Sequence, residues 1–297
     1  MEEIPRLTVY RSFIKCPNCK VGIGYGTDII NKQDIECPKC HSIFSHNDGF
    51  IEYLATTPID VLFFLPICAG VIEHRNLKIK VGKATKVRFK TPFYETYGVD
   101  FGKIEGKTDE KLFEQIIFAP IEVSKDGFAL VSSSFNESII NQEIEIIYFA
   151  KGRDYLENVP IWHRFLQSTI NSIKTQQYGM AIVESMSTFD AFFDEFLSNQ
   201  LVQKRGYSLE LVRRIVETYN RRDKLFYVLF YITGKTFEDS PYSKDLEDIA
   251  NLRNKIVHPK EYKFKESDLT EENAMKALET VIKSIKWVND TKRARAH

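Results

Sequence analysis

The chain has 297 residues, room for two or three domains. Hydrophobic residues make up 43% and charged residues 28%, the balance of an ordinary globular protein. Its 41 basic and 41 acidic residues cancel, so no overall field draws it to nucleic acid or anionic lipid, and any such contact must come from a local patch. The longest apolar run, Val61 to Ile72, is broken by Pro66 and falls short of the roughly 20 residues that span a bilayer. The opening MEEIPRLTVY lacks the basic-then-apolar order of a secretory signal. Four of the five cysteines stand at metal spacing and the fifth, Cys68, lies in the apolar run. That usage suits a reducing compartment. The expectation is a cytoplasmic chain without membrane contact.

The first predicted element, residues 1–46, is a zinc ribbon. Cys16-Pro-Asn-Cys19 and Cys37-Pro-Lys-Cys40 each hold two residues between paired cysteines. Such a knuckle places two thiolates at corners of a tetrahedron about 2.3 Å from zinc, and the second knuckle supplies the other two. The stretch Val21 to Ile35, punctuated by Gly22, Gly24 and Gly26, reads as a hairpin between them. Four cysteine ligands leave no position for water, so the Zn2+ is expected to be structural. His41 and His46 are not needed as ligands.

Residues 47–150 read as all-β. Leu77 to Val81 alternates, Val87 to Phe89 follows Gly82, and Phe113 to Ile121 and Phe128 to Val131 flank a Lys-Asp-Gly turn at 125–127. Glu143 to Phe149 closes the region. Short strands between turns predict a small sandwich. No catalytic constellation is visible in it. His74 reads as a surface residue, and Phe93, Tyr94 and Tyr97 as a binding face or as core and loop anchors.

After Gly152 the texture turns helical. Helices are predicted from Ile161 to about Lys174, from about Tyr178 to Asn199, from Ser208 toward Leu225 and Tyr231, from Leu246 to about Val257, and from about Thr270 to Val288. Polar loops between them predict an antiparallel bundle over 151–297. The expected fold class is thus multidomain α+β: ribbon, β-sandwich-like domain, helical bundle. The third helix carries Arg213, Arg214, Arg221, Arg222 and Lys224, either a phosphate-binding stripe or a solvated face interleaved with Glu210, Glu217 and Asp223. Gly234-Lys-Thr236 lacks the earlier glycine and the strand of a phosphate-binding loop.

The segment Arg253-Asn-Lys-Ile-Val-His258, followed by Pro259, carries the most chemistry. Arg253 falls inside the apolar stripe Leu246, Ile249, Ala250, Ile256, Val257, where a guanidinium needs a partner carboxylate, an interface or a ligand phosphate. Asn254 and His258 are one turn apart on an adjacent face. Pro259 disfavours helix at His258 and leaves the imidazole at a terminus. RNA can be cut without metal when a base takes the 2′-hydroxyl proton and a cation stabilises the phosphorane. Histidine and arginine suit those roles. The plain alternative is that Asp245, Glu247 and Asp248 at the start, and Arg253, Lys255 and His258 at the end, complement the helix dipole.

In this context Leu252-Arg-Asn-Lys-Ile-Val-His-Pro259 resembles the Arg-x4-His motif of the HEPN superfamily. The stretches Pro160-Ile-Trp-His-Arg-Phe-Leu and Met180-Ala-Ile-Val-Glu-Ser-Met-Ser-Thr-Phe-Asp also look like HEPN helices. The resemblance covers about the C-terminal half of the chain. It implies a homodimer whose two motifs meet in one cleft and cleave single-stranded RNA without metal, with Arg253 and His258 catalytic and Asn254 supporting. It also implies an orienting acid on an earlier helix, for which Glu184 is the first candidate and Asp190 the second. Many catalytic members act as toxins or anti-phage defence effectors. Other members only dimerise or bind RNA, and a DNA-binding regulator centred on the ribbon is a third reading. Against that third reading, Lys15, Lys20, Lys32 and Lys39 are offset by Asp28, Asp34 and Glu36.

Overall fold

A computed structural model describes residues 7–9, 14–23, 34–63, 70–93, 95–153, 160–259, 267 and 269–292. Cys68, Tyr94 and the expected hairpin's Gly24 and Gly26 lie outside the described residues. The chain is mixed α+β and forms two compact units. One comprises Met1–Arg11 and Cys68–Asn158, the other Ser12–Ile67 and Val159–His297. The cysteine ribbon is therefore packed with the helices, and residues 47–67 go with them and not with the β region.

In chain order, β1 (Leu7–Val9) belongs to the β unit. Four short strands then build the ribbon: β2 (Ile14–Lys15) pairs antiparallel with β3 (Gly22–Ile23), and β4 (Asp34–Glu36) with β5 (Ile43–Ser45). Helix α1 (His46–Thr56) follows directly, where strands were expected. Ser45 caps it by accepting the Asp48 N–H at 3.2 Å. Its Gly49 lets the backbone close on the ribbon, since a Cβ there would stand 2.8 Å from Phe44 Cε2 and 3.0 Å from Ile14 Cβ. A short α2 (Ile59–Leu62) comes next.

The β unit continues with β6 (Gly70–Lys80), β7 (Ala84–Arg88) and β8 (Glu95–Lys103), the turn of helix α3 (Glu110–Phe113), then β9 (Ile116–Ile121), β10 (Gly127–Ser134) and β11 (Glu143–Arg153). Two antiparallel sheets result, ordered β1-β6-β11-β8 and β7-β10-β9. Along β11, Ile144, Ile146, Tyr148 and Ala150 are buried in strict alternation. Rings join the two sheets: Phe128 lies 5.3 Å from Tyr148 and 5.8 Å from Phe101. Phe93 is a core residue packed edge-on to Phe89 at 4.9 Å. His74 is half-buried beside Phe149. The buried Glu73 accepts from the Tyr148 hydroxyl at 2.9 Å and the Lys90 N–H at 3.1 Å.

In the other unit, α4 (Ile161–Lys174) and α5 (Tyr178–Arg205) form a helical hairpin, with α5 packed against most of the remaining helices. Gly206, at φ +66°, ends α5. The expected third helix is broken. α6 (Leu209–Thr218) stops at Tyr219, and Asn220 caps a new start by accepting the Asp223 N–H. That second segment runs through α7 (Arg221–Asp223), a π-helical turn at Lys224–Val228, and α8 (Leu229–Thr233). Gly234, at φ +78°, closes it, so the Gly-Lys-Thr run follows a helix and not a strand. Helices α9 (Ser243–Val257) and α10 (Glu271–Thr291) complete the bundle.

Ribbon and bundle share one hydrophobic core. Ile14, Cys16, Ile35, Cys37 and Phe44 belong to the same cluster as Trp162, Phe189 and Val281. Buried acids on α1 lock the join. Asp48 accepts from Asn289 Nδ2 at 2.8 Å and pairs with Lys292. Glu52, 1% exposed, pairs with Lys286 at 3.2 Å and with Lys20, beside Cys19, at 2.8 Å. Burial alone would raise the Asp48 carboxyl, but the Lys292 charge and the hydrogen bonds from Lys292, Asn289 and Ser45 hold it below the usual value. A depressed carboxyl contributes stability above its unfolded pKa, about 3.9, and that contribution is lost as pH falls through the folded value. Urea unfolding should therefore show wild type losing its advantage over Asp48→Asn as pH drops below about 4. Both proteins carry the same four cysteines, so the difference between them isolates Asp48. A constant gap across that range would contradict the assignment.

Candidate metal centre and the Arg253–His258 end of the bundle

Each cysteine pair sits on a tight knuckle, and the two knuckles repeat one backbone pattern. Lys20 N–H donates to Cys16 O and Cys16 N–H to Val21 O, and His41 and Cys37 do the same with Cys37 O and Ser42 O, all at 2.9 Å. The residue after each second cysteine takes a left-handed conformation, Lys20 at φ 61° and His41 at φ 58°, which L-residues rarely adopt. The sulfurs of Cys16, Cys19, Cys37 and Cys40 all lie within 4.8 Å of one another. Cys16 to Cys40 is 3.6 Å and Cys19 to Cys37 is 3.5 Å. Four sulfurs each about 2.3 Å from a common tetrahedral ion stand about 3.8 Å apart. The cluster can hold a metal ion with little adjustment.

Ser42 is a residue that spacing alone did not single out. Its hydroxyl lies 3.2 Å from Cys16 Sγ and 3.1 Å from Cys40 Sγ. That hydrogen bond is the largest influence holding Cys40 down to about 5, with the Ser42 backbone second. Cys19 is pushed up to about 11: the Val21 backbone works against the rise, but burial and the three neighbouring sulfurs prevail. Thiols crowded in this way cannot all ionise without a cation among them. His41 turns away and meets Glu36 at 2.8 Å.

At the other end of the sequence, α9 buries Leu246, Ile249 and Ala250. Ile256 is half-buried and Val257 is 42% exposed, so the apolar stripe frays over its last turn. Arg253 is half-buried and donates from Nη1 to Asn254 Oδ1 at 3.0 Å. His258 leaves the helix at φ −121°, ψ 61°, as Pro259 requires, its N–H still bonded to Asn254 O at 2.8 Å and its ring exposed. The structure thus gathers Arg253, Asn254 and His258 at one helix terminus.

Glu184 is engaged elsewhere. Its two oxygens accept from Ser168 at 2.5 Å and Ser172 at 2.7 Å, both on α4. Asp190 is the acid that feels Arg253. Burial raises its carboxyl above the usual value; Asp194 adds to the rise, and Arg221, Lys224 and Arg253 oppose it. Arg221 stands 3.6 Å from Asp190 and Lys224 stands 2.5 Å from Asp194. The basic run therefore divides. Arg213 and Arg214 pair within α6 with Glu217 and Glu210, a solvated face, whereas Arg221 and Lys224 turn inward to α5. Cavities open in both units. One of about 670 Å³ runs between α1, α2 and α10, past Leu54, Ile59, Met275 and Ile282.

No known protein family matches this chain, and neither a curated protein nor a solved structure does. Among the described residues no helix is long and apolar enough to cross a membrane.

Proposed function

We propose that this chain is a metal-independent endoribonuclease of the HEPN kind, acting on single-stranded RNA, with a structural Zn2+ in its four-cysteine cluster. The observation that carries the reading is the grouping of Arg253, Asn254 and His258 at the C-terminal end of α9. The exposed imidazole of His258 takes the proton from a 2′-hydroxyl. The 2′-oxygen attacks phosphorus, the bond to the 5′-oxygen breaks, and the leaving oxygen takes up a proton. Arg253, fixed in direction by Asn254, offers paired N–H donors to the phosphorane oxygens. Asp190, which pairs with Arg221 at 3.6 Å, is the acid we favour to steady the arginine. The resemblance adds a homodimer in which two such helix ends face each other and form the cleft. A prokaryotic defence or toxin role is the biological setting we favour.

Zinc is the ion we favour: four sulfurs within 4.8 Å of one another suit it and leave no open position, so the ion would hold the ribbon and take no part in the cutting.

The mechanism fixes the product ends. Fragments should carry a 2′,3′-cyclic phosphate and a 5′-hydroxyl, readable by end-specific labelling and mass spectrometry. Fragments with a 5′-phosphate and a free 3′-hydroxyl would point to water attack at phosphorus and rule this chemistry out.

A further inference from the structure

The broken helix between Asn220 and Gly234 presents a surface that the Arg253–His258 chemistry does not use. Its inner side buries Leu225, Val228, Leu229 and Ile232, and Lys224 is buried against Asp194. Its outer side exposes Tyr227 at 71%, Phe230 at 54% and Tyr231 at 47%. In an unbroken α-helix Lys224 and Tyr231, seven apart, would share a side. The π-helical turn, closed by the Leu229 N–H on Lys224 O, inserts an extra residue and turns them about a quarter-turn apart. Lys224 keeps its carboxylate while the rings gather outward.

The rings are edged by cations. The Arg205 guanidinium lies over the Tyr231 ring at 4.7 Å and donates to Tyr231 O at 2.8 Å. Arg222 lies over Phe226 at 5.7 Å. Tyr207 bonds Tyr231 hydroxyl to hydroxyl at 2.8 Å, which fixes the ring. The same short segment supplies Arg221 to Asp190, the acid that feels Arg253. The segment that carries the outward rings thus also supplies the arginine beside Asp190.

We infer that Tyr227, Phe230 and Tyr231, with Arg205 and Arg222, form a stacking platform for single-stranded RNA that leads the strand to Arg253 and His258. This rests on the ribonuclease reading for its direction, not for the platform itself. Flat rings beside arginines suit unpaired bases on a phosphate backbone, because every base has a face to stack and every linkage a charge to meet. Arg205 over Tyr231, and Arg222 on the same segment, put positive charge beside the rings for a phosphate backbone; a contact between two copies of the chain is the competing use, and the molar-mass measurement below separates the two.

The test is fluorescence anisotropy with a labelled oligouridylate, measured in the His258→Ala background so that nothing is cut, with molar mass by light scattering in parallel. Tyr227→Ala and Phe230→Ala should each weaken binding about tenfold. Tyr227→Phe, which keeps the ring, should bind as the parent does, and the molar mass should not change. Unchanged binding in the alanine variants would overturn the platform, as would an absence of binding by the parent. A fall in molar mass on substitution would assign the rings to a contact between chains and overturn it too. The two readings fail separately. If wild type cuts nothing while the alanine variants lose binding, the ribonuclease falls and the platform stands. If wild type cuts and the variants bind unchanged, the reverse holds.

Discussion

With zinc in the four-cysteine cluster, as we propose, stripping it should destabilise the ribbon and the helical bundle together, in one transition at a lower temperature. Cys16 and Cys37 are buried in the same hydrophobic cluster as Trp162, Phe189 and Val281. The first knuckle is tied through Lys20 to Glu52, and Glu52 to Lys286 on α10. If the knuckles open, Gly49 and α1 lose the surface formed by Phe44 and Ile14. Glu52 then keeps one lysine in place of two. Structural zinc is itself worth about 10–16 kcal/mol in small ribbons, comparable with the 5–15 kcal/mol that stabilises a whole domain. A net loss of about 5 kcal/mol would lower Tm by about 10–20 °C in a unit of this size. Far-UV circular dichroism, dominated by the helices, reads the effect with and without a strong chelator, and Cys37→Ser should behave like the chelated protein. Helices that melt at an unchanged temperature after the metal has left would contradict the shared core.

Replacing Arg253 or His258 should abolish cutting without unfolding the protein. His258 is exposed and Arg253 half-buried at the end of α9, so His258→Ala should change stability by no more than about 0.5 kcal/mol. Loss of a general base removes about 10²–10⁴ in rate, and loss of a fixed cation at the phosphorane about 10²–10³. Arg253→Lys should recover only part of the arginine's share, because an ammonium cannot offer two parallel donors to one phosphate. Glu184→Gln should leave the rate close to wild type, since its carboxylate is held by Ser168 and Ser172. Asp190→Asn should slow cutting, because it removes the acid in Arg253's field. Single-turnover rates on one RNA rank the four variants, and a larger loss at Glu184 than at Asp190 would overturn this assignment of the acid.

The cysteine cluster was legible because its information is local: two knuckles of fixed spacing each define half a tetrahedron. Long periodic helices were equally open to reading, and α4 starts at Ile161 behind Pro160 and ends at Lys174 as the pattern implied. The break at Tyr219 was not, because α6 and the segment after it carry similar apolar spacing and only the Asn220 cap separates them. Strand β8 was missed for a different reason. Gly98, Asp100 and Gly102 blur its alternation, and Gly102 is there to admit Ile147 Cγ2, which would lie 3.2 Å from a Cβ. Helix α1 was read as part of a β region because its capping serine and its buried Asp48 and Glu52 resemble a polar turn until α10 and Lys20 are brought to them. The choice between Glu184 and Asp190 was likewise beyond sequence. The two are six residues apart on one helix, and only the packing of α4, α7 and α9 around it decides which carboxylate meets a serine and which meets an arginine. Ser42 carries no signal of its own, and its role appears only when both knuckles close on it.

The central claim is that Arg253 and His258 cut RNA through its own 2′-hydroxyl. The most direct measurement incubates the zinc-loaded protein, in enough EDTA to bind free metal but not to strip the cluster, with a single-stranded RNA and with its all-2′-deoxy counterpart, beside His258→Ala. Wild type should cut the RNA and leave the DNA intact, and His258→Ala should cut neither. Cutting of the deoxy strand, or RNA cutting undiminished in His258→Ala, would contradict it.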